Sequence, residues 1–309
     1  AAPSPTPAPT PTPIPMYRIV YRSEVGVDEA QELLVMRDDG TGQVALARTG
    51  LYGLAPVWSP DGTRLAFGCR MGDQGGICVI DADGSTLTNY PSGGAQPAWS
   101  PDGSRLAFIS SRDGNLEIYT MDSHVSEQTN LTRSIGDDRE PSWSPDGSRI
   151  GYFSDRDHGL AKDVELYVMD SDGSRQTRLT YDSNLYGEDY PTSTTIGGGG
   201  YPQNDYPVWS PDGKRILFYR CHDCGPFAQN NSEIYVIDAD GSNEANLTNS
   251  PEADTYAVWS PDGARIAFAS FSYRDHNYEI YVMNAEGTGV TNLTNSPGSQ
   301  DEFPAWSPD

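Results

Sequence analysis

Trp58-Ser-Pro-Asp-Gly62 returns at Trp99, Trp143, Trp209 and Trp259, and Trp306-Ser-Pro-Asp309 begins a sixth copy. One residue after each complete copy comes an arginine and an apolar run: Arg64-Leu-Ala-Phe67, Arg105-Leu-Ala-Phe108, Arg149-Ile-Gly-Tyr152, Arg215-Ile-Leu-Phe218 and Arg265-Ile-Ala-Phe268. The run expected after Asp309 stands at the other end of the sequence, as Arg18-Ile-Val-Tyr21. Proline presets φ in a turn and glycine accepts positive φ, so each copy reads as a tight turn between two strands. Self-similarity at this period marks a propeller or solenoid rather than independent domains. Ends that meet inside one unit favour a closed ring.

The unit from Pro97 to Arg133 gives the plan. Strand a is Pro97–Ser100, strand b Arg105–Ile109, strand c Glu117–Met121, and strand d lies around Thr129–Thr132, each separated by turn residues. Four short antiparallel strands in each of six units predict an all-β, six-bladed β-propeller of four-stranded blades over residues 16–309, preceded by an arm over 1–15. No helical period of useful length occurs. Closure takes strand a from the C-terminus and strands b, c and d from Arg18–Ser23, Glu32–Arg37 and Gln43–Thr49, which removes two sheet edges. The same geometry permits Phe303–Asp309 to complete a neighbour's ring instead.

Composition narrows the function. The 309 residues carry a net charge of −24, which disfavours nucleic acid and anionic membrane surfaces and favours basic partners or divalent cations. No apolar run reaches transmembrane length. The start at Ala1-Ala-Pro, without Met, reads as a processed end. Four cysteines form two local pairs, Cys69–Cys78 and Cys221–Cys224, expected as disulfides of an oxidising compartment. For the second pair zinc is the alternative, although two further ligands would be needed.

Residues 1–15, AAPSPTPAPTPTPIP, place prolines at 3, 5, 7, 9, 11, 13 and 15. This pattern favours polyproline II, in which 15 residues reach roughly 45 Å. Pro3, Pro5, Pro7, Pro9, Pro11, Pro13 and Pro15 are the candidate docking residues of this arm. Ser4, Thr6, Thr10 and Thr12 are candidate O-glycosylation acceptors, so covalent glycans join the expected partners. The tryptophans lie 41, 44, 66, 50 and 47 residues apart. The long interval carries a Tyr- and Gly-rich insertion with Tyr181, Tyr186, Tyr190, Tyr201 and Tyr206, a candidate binding loop.

Trp-Ser-Pro-Asp-Gly-x-Arg, the segments ending Glu-Ile-Tyr-x-Met/Ile-Asp, and Asn-Leu-Thr together resemble the repeats of TolB-like propellers over residues 17–309. The resemblance implies a six-bladed propeller used for protein–protein contact in or outside the bacterial envelope, and does not imply an enzyme.

Other motifs are weighed against simpler readings. The repeated Arg64, Arg105, Arg149, Arg215 and Arg265 read as partners of turn aspartates rather than as an anion-binding ring. Asp81–Gly84, Asp170–Gly173, Asp238–Gly241 and Asn284–Gly287 lack the length and helices of calcium loops and read as c–d turns. The sequons at Asn130, Asn246 and Asn292 share one position in the repeat, which accounts for them without a glycan. Asp138, Asn204, Asp254 and Asp301 precede strand a and are expected near one channel mouth, as ligands for Ca²⁺ or contacts for a basic partner, against local Asx-turn bonding. No cofactor is required. His124, His158, His222 and His276 are scattered, and no nucleophile elbow, phosphate loop or dinucleotide fingerprint is present.

The sequence therefore predicts a non-enzymatic secreted or cell-surface module whose partner is protein, foremost itself, through a Pro-rich arm that builds filaments. The alternative is a monomeric envelope module that captures a basic peptide or glycan at the channel mouth. A propeller hydrolase or lyase is third.

Overall fold

A computed structural model describes residues 18–25, 30–37, 44–48, 50–51, 56–71, 74–90, 94–122, 128–157, 164–181, 207–221, 231–294, 304 and 306. The chain forms two compact units, residues 1–49 and 50–309. The boundary falls inside the predicted 16–309 propeller, and each unit is described by itself. No described helix is long and apolar enough to cross a membrane. The arm over 1–15 lies outside the described residues.

The first unit holds one antiparallel sheet, β1 (Arg18–Val25), β2 (Ala30–Arg37) and β3 (Val44–Arg48), in that order. These are the three strands expected for the closing blade. Of the segment expected to supply its fourth, only Pro304 and Trp306 are described.

The second unit contains five consecutive antiparallel sheets, here blades I to V. Blade I comprises β4 (Gly50–Leu51), β5 (Val57–Trp58), β6 (Arg64–Met71), β7 (Gln74–Asp81) and β8 (Leu87–Tyr90); β4 and β5 both pair with β6 as two pieces of strand a. Blade II is β9 (Gly94–Trp99), β10 (Arg105–Ser110), β11 (Glu117–Asp122) and β12 (Thr129–Asn130). Blade III is β13 (Asp138–Trp143), β14 (Arg149–Ser154), β15 (Glu165–Asp170) and β16 (Thr177–Arg178). Blade IV is β17 (Val208–Trp209), β18 (Arg215–Cys221), β19 (Ser232–Asp238) and β20 (Ala245–Asn246). Blade V is β21 (Ala253–Trp259), β22 (Arg265–Ser272), β23 (Asn277–Asn284) and β24 (Thr291–Asn292). In blades II to V the strands pair in sequence order.

The continuous apolar runs of strands b and c follow from blade-on-blade packing. Alternate side chains leave opposite faces of a strand, so a strand between two neighbours must be apolar on both. Ala107 and Ile109 of β10 pack with Trp143, Ile150 and Tyr152 of blade III. Their neighbours Leu106 and Phe108 pack with Ala66 and Ile77 of blade I. The same division repeats at the junctions of blades III with IV and IV with V.

The repeated motif closes one end of every blade. Ser59 Oγ donates to Asp61 Oδ1 at 2.6 Å, the Thr63 amide donates to that oxygen at 3.0 Å, and Gly62 sits at φ 67°. Hydrogen bonds from the serine hydroxyl, the amide two residues past the aspartate and the side chain there hold the Asp61, Asp102 and Asp146 carboxyls down to about 2. The c–d turns join this end: the Ala82, Ser171, Ala239 and Ala285 amides donate to carbonyls of the a–b turns at 2.8–2.9 Å.

Successive blades are latched here. The Nε1 of Trp99, Trp143, Trp209 and Trp259 donates to the carbonyl just before the preceding blade's tryptophan, as in Trp143 to Ala98 and Trp209 to Ser142, both at 3.1 Å. Trp306 makes the same bond to Val258 O at 3.2 Å, so the sixth copy repeats the latch on blade V. The arginines help to hold the turn aspartates Asp61, Asp146 and Asp262 ionised, as expected, but reach beyond them. Arg64, Arg149, Arg215 and Arg265 lie over Trp99, Trp209, Trp259 and Trp306 at 4.7–4.8 Å. Arg105 reaches Ser171 O at 3.2 Å, in the next blade's c–d turn.

Cys69 and Cys78 form the expected disulfide, with Cα atoms 5.7 Å apart across the β6–β7 hairpin. Both are buried. Cross-linking so short a loop contributes about 2.5 kcal/mol in the chain-entropy description. Reduction, or paired replacement of Cys69 and Cys78 by alanine, is expected to lower the free energy of unfolding by that amount. Urea titrations of oxidised and alanine-substituted protein check this, and coincident midpoints would remove the disulfide from the account of stability. Cys221 ends β18 opposite Ser232, and Cys224 lies outside the described residues.

Candidate functional site

The opposite end of the blades carries the b–c and d–a connections. They are tied together by the Leu116 amide to Asp137 Oδ1 (2.8 Å), the Asp137 amide to Asp155 Oδ1 (2.7 Å) and the Tyr273 amide to Glu252 Oε2 (3.0 Å). The a–b turns are near copies of one another. At this end the sequence differs from blade to blade.

A β-bulge bends strand a as it enters this end. Gln96, Glu140 and Tyr256 stand at φ 54°, 57° and 56°, and the register with strand b slips beside each of them. Left-handed conformations cost energy in non-glycine residues and persist where surroundings impose them. A bulge also re-aims a side chain. Gln96 Oε1 accepts the Glu140 amide at 3.0 Å, linking the bulges of blades II and III.

Beneath the bulges runs a row of buried carboxylates. Glu117 and Glu165 open strand c, Glu233 and Glu279 stand one and two residues into it, and all four are between 0 and 8% exposed. Each accepts the hydroxyl of the threonine in, or equivalent to that in, Asn-Leu-Thr: Thr132, Thr180, Thr248 and Thr294. Asn130 Oδ1 accepts the Thr132 and Arg133 amides, and its amide group donates to Asp113. That turn role, found again at Asn246 with the Thr248 and Asn249 amides, supplies the structural reason for the sequon position.

Asp138 and Asp254 add a second carboxylate to this row, at 0% and 1% exposure. The two sites share a design. Ser134 donates its amide to Glu117 and its hydroxyl to Asp138 Oδ2 at 2.9 Å. Ser250 donates its amide to Glu233 and its hydroxyl to Asp254 Oδ2 at 3.1 Å. They differ in counter-charge. Arg156 Nη2 pairs with Asp138 Oδ1 at 2.8 Å. In blade V the residue at the Arg156 position, seven after the motif arginine, is Ser272. Burial pushes the Asp254 carboxyl up to about 6, against hydrogen bonds from Ser270, Thr248 and Ser250 that pull it down.

An arginine over the strand-c tyrosine is the other repeated feature of this end. Arg112 lies 4.4 Å from the Tyr119 ring, Arg156 4.8 Å from Tyr167 and Arg220 4.5 Å from Tyr235. Arg112 and Arg156 also donate Nε to Ser110 Oγ and Ser154 Oγ, at 3.1 and 2.9 Å. Blade I has Cys78 where the others have tyrosine, and the disulfide occupies that place. Blade V keeps Tyr281, stacked on Phe268 at 5.6 Å, and holds a cleft of about 210 Å³ beside it. Glu252, Ser270, Ser272, Asp275, Glu279 and Tyr281 line it, with Asn277 and Asn292.

Of the four oxygen ligands expected at one mouth, Asp138 and Asp254 are each engaged within their own blade junction, and Asn204 and Asp301 lie outside the described residues. Among the described residues, no group of three or more His, Cys, Asp or Glu is arranged to hold a metal. Tyr181 is 72% exposed, with Arg178 over its ring at 4.8 Å. Tyr186, Tyr190, Tyr201 and Tyr206 lie outside the described residues, as do Ser4, Thr6, Thr10, Thr12 and the seven arm prolines. The bulge residues and the arginine–tyrosine stacks were missed in the sequence. The recurring Ser-x-Arg-Asp of Ser110–Asp113, Ser154–Asp157 and Ser272–Asp275 was the signal available for the stacks, although Arg274 of the third copy is exposed.

Radially repeated four-stranded sheets, latched tryptophan to carbonyl, define a β-propeller. The family model described as the TolB beta propeller domain matches residues 16–198 and 200–309, and the chain belongs to that family. TolB from Acinetobacter baumannii superposes with a TM-score of 0.59 at 23% identity, over 92% of this chain and 64% of that one. A protein assigned as TolB from Agrobacterium tumefaciens gives 0.57 at 24% identity, over 86% and 90%. Oligogalacturonate lyase from Vibrio parahaemolyticus gives 0.63 at 13%, over 89% and 74%. The chain thus spans less than two thirds of the Acinetobacter protein. No protein of curated function matches the sequence significantly.

Proposed function

We propose that the protein is a non-enzymatic propeller module that binds other proteins, outside the cytosol, at the cell surface or in the envelope. The observation that carries this reading is the inequality of the blade ends. One end repeats the same turn in blade after blade. The other varies its loops, carries a different residue at each strained bulge (the half-buried Gln96 and Tyr256 and the buried Glu140), and has the d–a connection whose sequence is lengthened over 181–206. Binding residues concentrate on variable loops held by a rigid scaffold. Membership of a TolB propeller family supports protein as the ligand, and the buried disulfide supports an oxidising compartment.

The partner in this reading is a second copy, reached through the Pro-rich arm. Prolines bring little conformational entropy to lose on docking, and tyrosines supply the grooves that polyproline II segments favour. A head-to-tail contact does not close, so it extends into a filament. Negative-stain microscopy with light scattering compares the full chain with one lacking residues 1–15. Polymers that vanish on deletion are expected. Identical monomers would overturn self-assembly and favour the second reading, a monomeric module that captures a basic peptide or glycan. The carboxylate-lined cleft of blade V supports that second reading.

A further inference from the structure

We propose that the blade V cleft is a receptor for an arginine side chain of a bound protein, whose guanidinium takes the place that the chain's own arginines fill in blades II, III and IV. The inference rests on the protein-binding reading above and adds the chemistry of one recognition point.

Internal comparison carries it. In blade III the face of the β14–β15 hairpin that bears Tyr152, Ser154, Tyr167 and Glu165 is covered by Arg156, which lies over both rings and bonds Ser154, Gln176 and Asp138. Arg112 covers the matching face in blade II, over Phe108 and Tyr119. In blade IV Arg220 comes from two residues earlier, yet reaches the same place over Phe218 and Tyr235 and pairs with Glu244 at 2.6 Å. Three blades therefore solve one packing problem with one chemical group, delivered from two different backbone positions.

Blade V keeps the receiving surface, but its own turn arginine, Arg274 of Ser272-Tyr-Arg-Asp275, is exposed and is not among the residues that line it. Phe268 and Tyr281 are present, Ser270 stands opposite Glu279 as Ser154 stands opposite Glu165, and both arginine positions are serine, Ser270 and Ser272. Registers place 268, 270 and 272 on one face of the hairpin with 277, 279 and 281. The space left there is the cleft, and its walls are that face together with Glu252 and Asp275. No Lys or Arg lines it. The buried Asp254, paired in register with Ser270, faces this junction without the counterpart of Arg156. A planar cation fits an aromatic face flanked by carboxylates better than a compact ammonium does, through stacking and forked hydrogen bonds.

The test uses the full chain labelled with 3-fluorotyrosine and titrated with N-acetyl-arginine amide, with the Tyr281 resonance assigned through Tyr281→Phe. Saturable movement of that resonance is expected. N-acetyl-citrulline amide keeps the shape and loses the charge, and is expected to bind about tenfold more weakly. Ser272→Arg fills the cleft from within and is expected to abolish the response. Asp275→Asn, at an exposed loop position where asparagine can still accept the Ser272 hydroxyl, is expected to weaken it several-fold. Absence of saturation, equal binding of citrulline, or a response that survives Ser272→Arg in folded protein would each overturn the proposal. Filament formation is read separately on the unsubstituted full chain and on the chain lacking residues 1–15. Polymers without a saturable response in the unsubstituted chain sink this inference alone, and a working cleft on arm-independent monomers sinks self-assembly alone.

Discussion

Replacing Arg156 by leucine is expected to cost the protein about 3–5 kcal/mol, the usual consequence of leaving a buried charge without its partner. Asp138 is fully buried and Arg156 is 15% exposed at the side chain. The guanidinium also lies over Tyr152 and Tyr167 and bonds Ser154 and Gln176, so four other groups lose a contact with it. Leucine replaces apolar volume but supplies no donor to a carboxylate that already shares Ser134 with Glu117. Urea denaturation of the variant measures the loss. Arg156→Leu combined with Asp138→Asn removes the orphaned charge and is expected to recover more than half of it. A loss below about 1 kcal/mol, typical of an exposed pair, would mean that water reaches Asp138 and that the pair is a surface feature.

The fold of the second unit was legible because its signals are local and repeated. Pro-Asp-Gly fixes a turn, the run after each motif arginine is apolar on both faces, and the two together place strands a and b without reference to the rest of the chain. What the motif residues touch was less legible, because those contacts cross between blades. Arg149 and Trp209 are 60 positions apart in the sequence, and nothing in the spacing says that a guanidinium will prefer the next blade's indole to its own turn's aspartate. The aspartate already accepts from Ser144 and Ser148, and the arginine, while still acting on its charge, places its hydrogen bonds on carbonyls and its plane over a ring.

The variable end was harder still, for two physical reasons. The bulge residues Gln96, Glu140 and Tyr256 adopt positive φ without being glycine, so composition gives no sign of them. The arginine over the strand-c tyrosine stands seven residues after the motif arginine in blades II and III but five after it in blade IV. A flexible side chain reaches the same spot from either position, so a functional repeat exists in space that is absent from the alignment of the repeats. In blade V the arginine of the same turn motif, Arg274, stands nine after the motif arginine and is exposed, so the uncovered cleft becomes visible only in the structure.

Asp254→Asn is expected to stabilise the protein at neutral pH by about 3 kcal/mol relative to its effect in acid, because the carboxyl sits about two units above the ordinary aspartate range. The sign follows from proton counts. Between pH 4 and 6 the folded state holds a proton on Asp254 that the unfolded chain has released, so stability falls as pH rises through that window. Below pH 4 both states hold the proton and the penalty is absent. Asparagine cannot ionise and escapes the loss, at a constant cost for the changed bond to Ser250. The turn aspartates Asp61, Asp102 and Asp146 act in the opposite direction but nearer pH 2 to 4, outside this window. Unfolding free energies of wild type and variant at pH 4, 5, 6 and 7 should therefore diverge steadily in the variant's favour. A difference that stays flat with pH would place a cation or water beside Asp254, and the contrast with the arginine-paired Asp138 would then carry no energetic meaning. If the divergence appears and collapses when N-acetyl-arginine amide is added, one buried carboxylate links the stability of blade V to occupation of its cleft.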